Sequence, residues 1–288
     1  MVSKPKMIIM TAIPAQALDV LIVQSSKGPA YAESIRGFKE AFKGTTQTLL
    51  LTDYAEVDLV RLVKEEQPGL VLAVGEPALS KAKKVRQVPV VALMSLSHSI
   101  SRPPAANIHG IPVVASPARY MQLFSAMGVK RVGVVYDPAR TGYYIKRAQQ
   151  MAESAGIKLV AFDVNGSREV VGAIEKINGA VDLLWMLPDT TAVTAATLEA
   201  YFGFSARHKV PVVAFNEQYL SKGAAVSIDV DRTDMGRQAG ELANALLSNG
   251  DRSAATALDP RRLRLNSNYS IVEKLGLHIP DSTLFSQK

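Results

Sequence analysis

The pentapeptide Val88-Pro-Val-Val-Ala92 returns unchanged as Val210-Pro-Val-Val-Ala214, and around each copy the chain carries one layout. Upstream of the pentapeptides, Leu70-Val-Leu-Ala-Val-Gly-Glu76 lies over Leu183-Leu-Trp-Met-Leu-Pro-Asp189 at an offset of 113 residues. Further back, Val20-Leu-Ile-Val23 lies over Val132-Gly-Val-Val135, and Tyr31 over Tyr143, both at 112. The pentapeptides themselves are 122 apart, because residues 190–209 form a longer segment than their counterpart, residues 77–87. A period this long marks two related domains, since solenoid repeats run to about 20 to 50 residues.

Each copy alternates short β-branched runs with helical patterns, the mark of βαβ units and a parallel sheet. The runs at 70–74 and 132–135 are almost continuously apolar, which suits strands covered on both faces. Tyr31, Ile35, Phe38 and Phe42 fall on one stripe of a helix. Its counterpart spans 141–154 and stops at Ala155-Gly156. Further helices are expected at 56–66, 77–84, 168–177 and 191–207. The fold class that follows is α/β, with two doubly wound parallel-sheet lobes.

The 288 residues suffice for two cores, and 48% hydrophobic with 20% charged residues is ordinary for a globular chain. The formal charge of +7 invites a nucleic-acid reading. The basic residues are scattered, however, and no nucleic-acid-binding motif accompanies them, so a solvated surface is expected and no nucleic-acid partner. The clusters Lys81, Lys83, Lys84, Arg86 and Pro260-Arg-Arg-Leu-Arg264 are the points where that expectation is weakest.

Residues 1–17 read as a secretion signal: a basic start, a brief apolar run at 7–13, and the small-x-small sequence Ala15-Gln16-Ala17. The chain has no cysteine, which removes disulfides, thiolate metal sites, a cysteine nucleophile and an acylated cysteine anchor. The expectation is an exported, freely diffusing periplasmic protein. The four histidines show no ligand spacing, so neither metal nor cofactor is expected.

In open parallel α/β sheets ligands bind beyond the carboxyl ends of the strands. Two lobes that face these edges together enclose a cleft, lined by helix N-termini that favour anions. The strand ends nominate Ser25, Ser26, Gly75, Glu76 and Ser95 from the first copy. From the second they nominate Tyr136, Asp137, Pro188, Asp189, Thr190, Asn216 and Glu217. Structural roles compete with each: serines cap turns, Asp137 precedes a proline, and aspartate at 189 makes a good helix N-cap. Tyr31 and Tyr143 either roof the cleft or pack beneath it, and Trp185 is expected in the core.

The stretches Leu72-Ala-Val-Gly-Glu-Pro-Ala78, Val132-Gly-Val-Val-Tyr-Asp-Pro138, Pro188-Asp189, and the run from Gly223-Ala-Ala-Val226 to Gly236-Arg-Gln238 resemble the ABC-transporter substrate-binding family that includes tryptophan and tyrosine binders. Leu265-Asn266 and Leu275-Gly-Leu-His-Ile-Pro280 are similar to its tail. The resemblance implies a type I periplasmic-binding-protein fold, two lobes joined by a hinge of three crossover strands near 111–115, 227–231 and 258–264, and no catalysis. It implies a first lobe of 18–115 plus about 232–260, with helix 234–247 returning to it, and a second of 116–231 plus about 261–288. It implies a small-molecule ligand, an amino acid or similar small zwitterion or anion with aromatic types first, delivered by a monomer to ABC permease transmembrane subunits. Asp189 matches the family's cleft aspartate, suited to an ammonium group, and Asp231 becomes a cleft candidate by family position. Thr190 and the loop Gln24-Ser-Ser-Lys-Gly-Pro29 depart from the aromatic-amino-acid binders. Two other readings stand beside this one: a sensor module of the same fold, and an aspartate-dependent phosphohydrolase suggested by Asp229-Val-Asp231-Arg-Thr233.

Overall fold

A computed structural model describes residues 18–100, 105–249 and 258–281. The expected signal segment lies outside the described residues. The first half runs β1 (Val20–Gln24), α1 (Pro29–Ala41), β2 (Thr46–Leu50), α2 (Leu59–Glu66), β3 (Leu70–Val74), α3 (Glu76–Ala82), β4 (Val90–Leu93), α4 (Leu96–Ile100) and β5 (Ile108–Gly110). The second runs α5 (Pro117–Ala126), β6 (Arg131–Tyr136), α6 (Pro138–Ser154), β7 (Lys158–Asp163), α7 (Ser167–Lys176), β8 (Leu183–Trp185), α8 (Leu198–His208), β9 (Val212–Ala214) and β10 (Val226–Val230). The chain ends its described course with α9 (Arg232–Asn249), β11 (Leu263–Ser267) and α10 (Tyr269–Leu275).

The repeat in the sequence is a repeat in space. One sheet is ordered β2-β1-β3-β4-β5 and the other β7-β6-β8-β9-β10, each parallel, so the two share one strand order. This is the doubly wound order whose switch point lies between its first and third strands. β11 adds antiparallel to β10 at the edge of the second sheet. The apolar runs are central strands: all five residues of β3 are buried, as are the middle residues of β6. Trp185 is fully buried among Tyr120, Phe124 and Tyr144.

The stripe on α1 faces its sheet through Phe38, and Phe42 stacks on it just past the helix end. The other side of α1 meets α9, and small residues set the approach. A Cβ on Gly37 would stand 2.0 Å from the Thr233 carbonyl oxygen, and one on Gly236 2.0 Å from that of Ser34. Met235, Ala239, Leu242, Ala243 and Leu246 of α9 thereby close the core formed by Val20, Ile22, Leu70 and Leu72. Burying five such side chains supplies the stabilisation that keeps the late helix on the early sheet, at about 25 cal/mol for each Å² of apolar surface removed from water.

Two local expectations are corrected. Residues 111–115 form no strand but an irregular crossing, while the other crossings use β10 and β11, the latter starting at Leu263 rather than at 258. The helix expected at 191–207 begins only at Leu198. Ahead of it the Thr197 hydroxyl donates to the Ala192 carbonyl at 2.8 Å and accepts from the Thr194 amide at 2.9 Å. Threonine side chains thus occupy backbone groups that a helix would need. The basic run at 261–264 is also partly consumed inside the protein: Arg261 pairs with Asp234 and Glu241, and Arg264 with Asp231. Among the described residues no helix is long and apolar enough to cross a membrane.

A candidate ligand site between the two sheets

At the end of β1 the Ser25 hydroxyl donates to the Val74 carbonyl at 2.8 Å and accepts from the Ala78 amide at 3.0 Å. It therefore ties the end of β1 to both sides of the turn that starts α3. Gly75 forms that turn at φ 92, a conformation that costs a side-chain-bearing residue energy. A Cβ there would lie 2.6 Å from the Ser25 hydroxyl and 2.8 Å from that of Tyr31. The turn delivers Glu76 as the first residue of α3, exposed, with the Ser95 hydroxyl donating to its Oε2 at 2.8 Å and the Ser97 amide at 3.1 Å. The Ser97 hydroxyl donates to its Oε1. Partial burial pushes the Glu76 pKa up, but the Ser97 and Ser95 hydrogen bonds, helped by Lys83, outweigh it and hold the carboxyl below its usual range.

The second half repeats the tie with different chemistry. Asp189, 1% exposed, accepts four hydrogen bonds. Its Oδ2 receives the Asp137 amide at 2.8 Å and the Thr141 hydroxyl at 2.6 Å, and its Oδ1 the amides of Thr191 and Ala192, both at 2.9 Å. A carboxylate has about four lone-pair positions, so protein donors fill them. Asp137 answers by accepting from the Thr191 hydroxyl at 2.6 Å and from the Ala139 amide at 2.8 Å, the latter capping α6.

Between these two turns lies a cavity of about 480 Å³. The first half contributes Tyr31, Glu76, Met94, Leu96, Ser97 and Ile100, and the second Ala139, Arg140, Pro188 and Thr190. Met94 follows β4 at φ 56, an uncommon conformation for a non-glycine residue. Arg140 sits in the first turn of α6, exposed, and makes no ion pair or side-chain hydrogen bond among the described residues.

Of the thirteen residues nominated from the sequence, Glu76, Pro188 and Thr190 line this cavity. Ser25, Gly75, Ser95, Asp137 and Asp189 are not in the lining but form or brace the turns that carry it. The ammonium-binding role expected of Asp189 has no open acceptor in this arrangement, because burial and four donors occupy the carboxylate. The other five neither line the cavity nor brace those two turns. The Ser26 carbonyl accepts from Gln24 Nε2 at 2.7 Å. Tyr136 is half-buried, and that burial with the Asp163 carboxylate raises its phenol pKa. Asn216 caps the Gln218 amide at 3.0 Å, and the Glu217 amide donates to Asp229 Oδ1 at 3.0 Å. Asp231 caps the Asp234 amide at 3.0 Å and meets Arg264 at 2.9 Å, and these partners lower its pKa against the opposing effect of burial. Tyr31 reaches the cavity, whereas its twin Tyr143 is exposed.

The lining residues that strand ends did not reveal are Met94, Leu96, Ser97, Ile100, Ala139 and Arg140. Arg140 carried a readable signal, since a cation in a helix's first turn opposes the helix dipole. The aspartates that imitate a phosphohydrolase are also structurally engaged: Asp229 accepts from the Glu217 amide, the Ser227 hydroxyl at 2.7 Å and Asn266 Nδ2 at 3.2 Å. Among the described residues no His, Asp and Glu cluster of three converges as a metal site would require.

The family model for ABC transporter substrate binding proteins matches residues 19–288. The chain belongs to this family. A tyrosine-binding protein of Clostridioides difficile strain R20291 is 23% identical over 218 residues, which cover 70% of this chain and 62% of that relative. Among solved structures, the ligand-free, open form of a substrate-binding protein with adhesive properties from Clostridium difficile is similar with a TM-score of 0.71 and 19% identity, over 93% of this chain and 98% of that one. An ABC domain in complex with L-Trp from Streptococcus pneumonia is similar with a TM-score of 0.58 and 18% identity, over 93% and 99%. These likenesses carry the fold: the substrate-binding chain is a two-lobed protein of the periplasmic-binding-protein type I kind.

Proposed function

We propose that the protein is the exported solute receptor of an ABC importer, without catalytic activity of its own, and that it traps a small molecule between its lobes and presents the closed form to the permease transmembrane subunits. The observation that carries this reading is the cavity of about 480 Å³, lined from both halves at the carboxyl ends of parallel strands. A ligand held by both walls favours the closed arrangement by its differential affinity for it.

The ligand class that fits is an amino acid or similar small zwitterion or anion, aromatic types first. The apolar groups of Tyr31, Met94, Leu96, Ile100 and Pro188 suit a planar or branched side chain. The tyrosine-binding relative and the tryptophan-bound neighbour point the same way. Glu76, Pro188 and Thr190 are assigned direct contact, with Ser25, Gly75, Ser95, Asp137 and Asp189 holding the turns that carry them. The expected division into residues 18–115 with 232–260 and residues 116–231 with 261–288 supplies the two closing bodies, and the receptor acts as a monomer in the periplasm.

Thermal-shift screening of amino acids and other small metabolites, paired with small-angle scattering, tests the reading. A true ligand raises the melting temperature by mass action and makes the scattering profile more compact. A library that leaves both unchanged sinks the receptor. Export is checked apart from this: the mature protein in cells should lack residues 1–17, and an intact Met1 rules it out.

A further inference from the structure

Two charges face the interlobe cavity from opposite walls, and neither has a counter-ion. Glu76 is held by hydroxyls and an amide from Ser95 and Ser97, and no cation lies within ion-pair distance of it among the described residues. Lys83 bears on it only from farther off, reaching toward Ser97 at 3.5 Å. Arg140 faces from the second half with neither ion pair nor side-chain hydrogen bond among the described residues. Its place in the first turn of α6 is electrostatically costly, because the helix already presents partial positive charge there. The first amides of α6 are taken up by Asp137, so an anion at that point is met by the guanidinium itself.

We infer that the cavity is a bipolar site: Glu76 takes the ammonium group of an α-amino acid, and the Arg140 guanidinium takes its carboxylate. The assignment rests on the receptor reading above and narrows it. A plain anion leaves Glu76 facing its charge, and a plain amine leaves Arg140 facing its own. A zwitterion meets both, and it does so by linking groups that belong to different halves. Closure then strengthens both contacts, since excluding water lowers the effective dielectric between paired charges. The buried Asp189, twin of Glu76, contributes no open oxygen and acts by fixing the turn beside Arg140.

Calorimetric titration of the full-length mature protein with L-tryptophan, tryptamine and indole-3-propionate tests this, on wild type, Glu76→Gln and Arg140→Gln. Both side chains are exposed, so Arg140→Gln should keep the wild-type melting temperature in the absence of ligand and Glu76→Gln should lower it only slightly, leaving both variants folded for the titration. Each substitution should weaken L-tryptophan by at least about tenfold, the usual scale for losing one charge-assisted contact. The analogues separate the roles. Tryptamine binding should fall in Glu76→Gln and stay within about twofold in Arg140→Gln, and indole-3-propionate should show the reverse. L-tryptophan affinity unchanged in both variants, or equal losses for both analogues in both variants, overturns the assignment. Binding of an uncharged or singly charged metabolite in place of any amino acid overturns it too, yet leaves the receptor reading standing. Absence of any binding compound removes both.

Discussion

Glu76 and Asp189 occupy twin positions in the two halves, and one is an open carboxylate while the other is sealed. The difference begins one residue earlier. Gly75 turns at φ 92, so α3 starts at once and Glu76 projects from its first turn. Its twin is Pro188, whose ring fixes φ near −65°, and the chain runs on to a looped segment before α8 begins at Leu198. In that loop Asp189 gathers the amides of Asp137, Thr191 and Ala192. The tie between the first and third strands survived in both halves, by Ser25 in one and by the Asp137–Asp189 pair in the other. What diverged is which half has a carboxylate left over. A duplicated scaffold thus supplies a symmetric frame, and the turn residue decides where the asymmetric chemistry sits.

The comparison can be broken most forcefully at Asp189. Asp189→Ala strands three amides and the Thr141 hydroxyl in a buried turn, so it should cost about 3 to 5 kcal/mol in denaturant unfolding. A loss below about 1 kcal/mol shows that the loop forms without its carboxylate. At the preceding position the twins should respond unequally. Gly75→Ala forces a Cβ against Ser25 and Tyr31 at positive φ and should cost about 1 to 3 kcal/mol, whereas Pro188→Ala should cost under about 1 kcal/mol. Equal costs contradict the account of the divergence. The smallest effect concerns Glu76. Its native pKa lies below the ordinary glutamate value of 4.5, so its favourable contribution is present above that value and is lost as pH falls through the lower native one. The melting-temperature difference between wild type and Glu76→Gln should therefore be visible at neutral pH and shrink on acidification below about pH 4.5.

The frame was legible because it is local and doubled. The two Val-Pro-Val-Val-Ala runs became β4 and β9 with the start of each in register, and the strand-end rule reached Glu76, Pro188 and Thr190. The site's remaining wall was less legible for identifiable reasons. Arg140 lies inside a helix rather than at a strand end, and in a chain with 33 lysines and arginines one more basic residue looked like solvated surface. Asp189 was recognisable as a candidate, and as an N-cap, but its sealing depends on Asp137 and Thr141, 52 and 48 residues earlier. Residues 191–197 read as the start of a helix because their alanines continue into the apolar stretch beyond Leu198; the competing threonine hydroxyls act only once the chain has turned.

The glycine-lined seat of α9 on α1 has a consequence for the order in which the protein can mature. The sheet of β1 to β5 leaves the ribosome first, but the flank bearing Val20, Ile22, Leu70 and Leu72 waits for a cover that ends at residue 249. The half made earliest therefore stays open until most of the second half has been made, and a nascent chain that is shorter than this carries an adhesive, unfinished face.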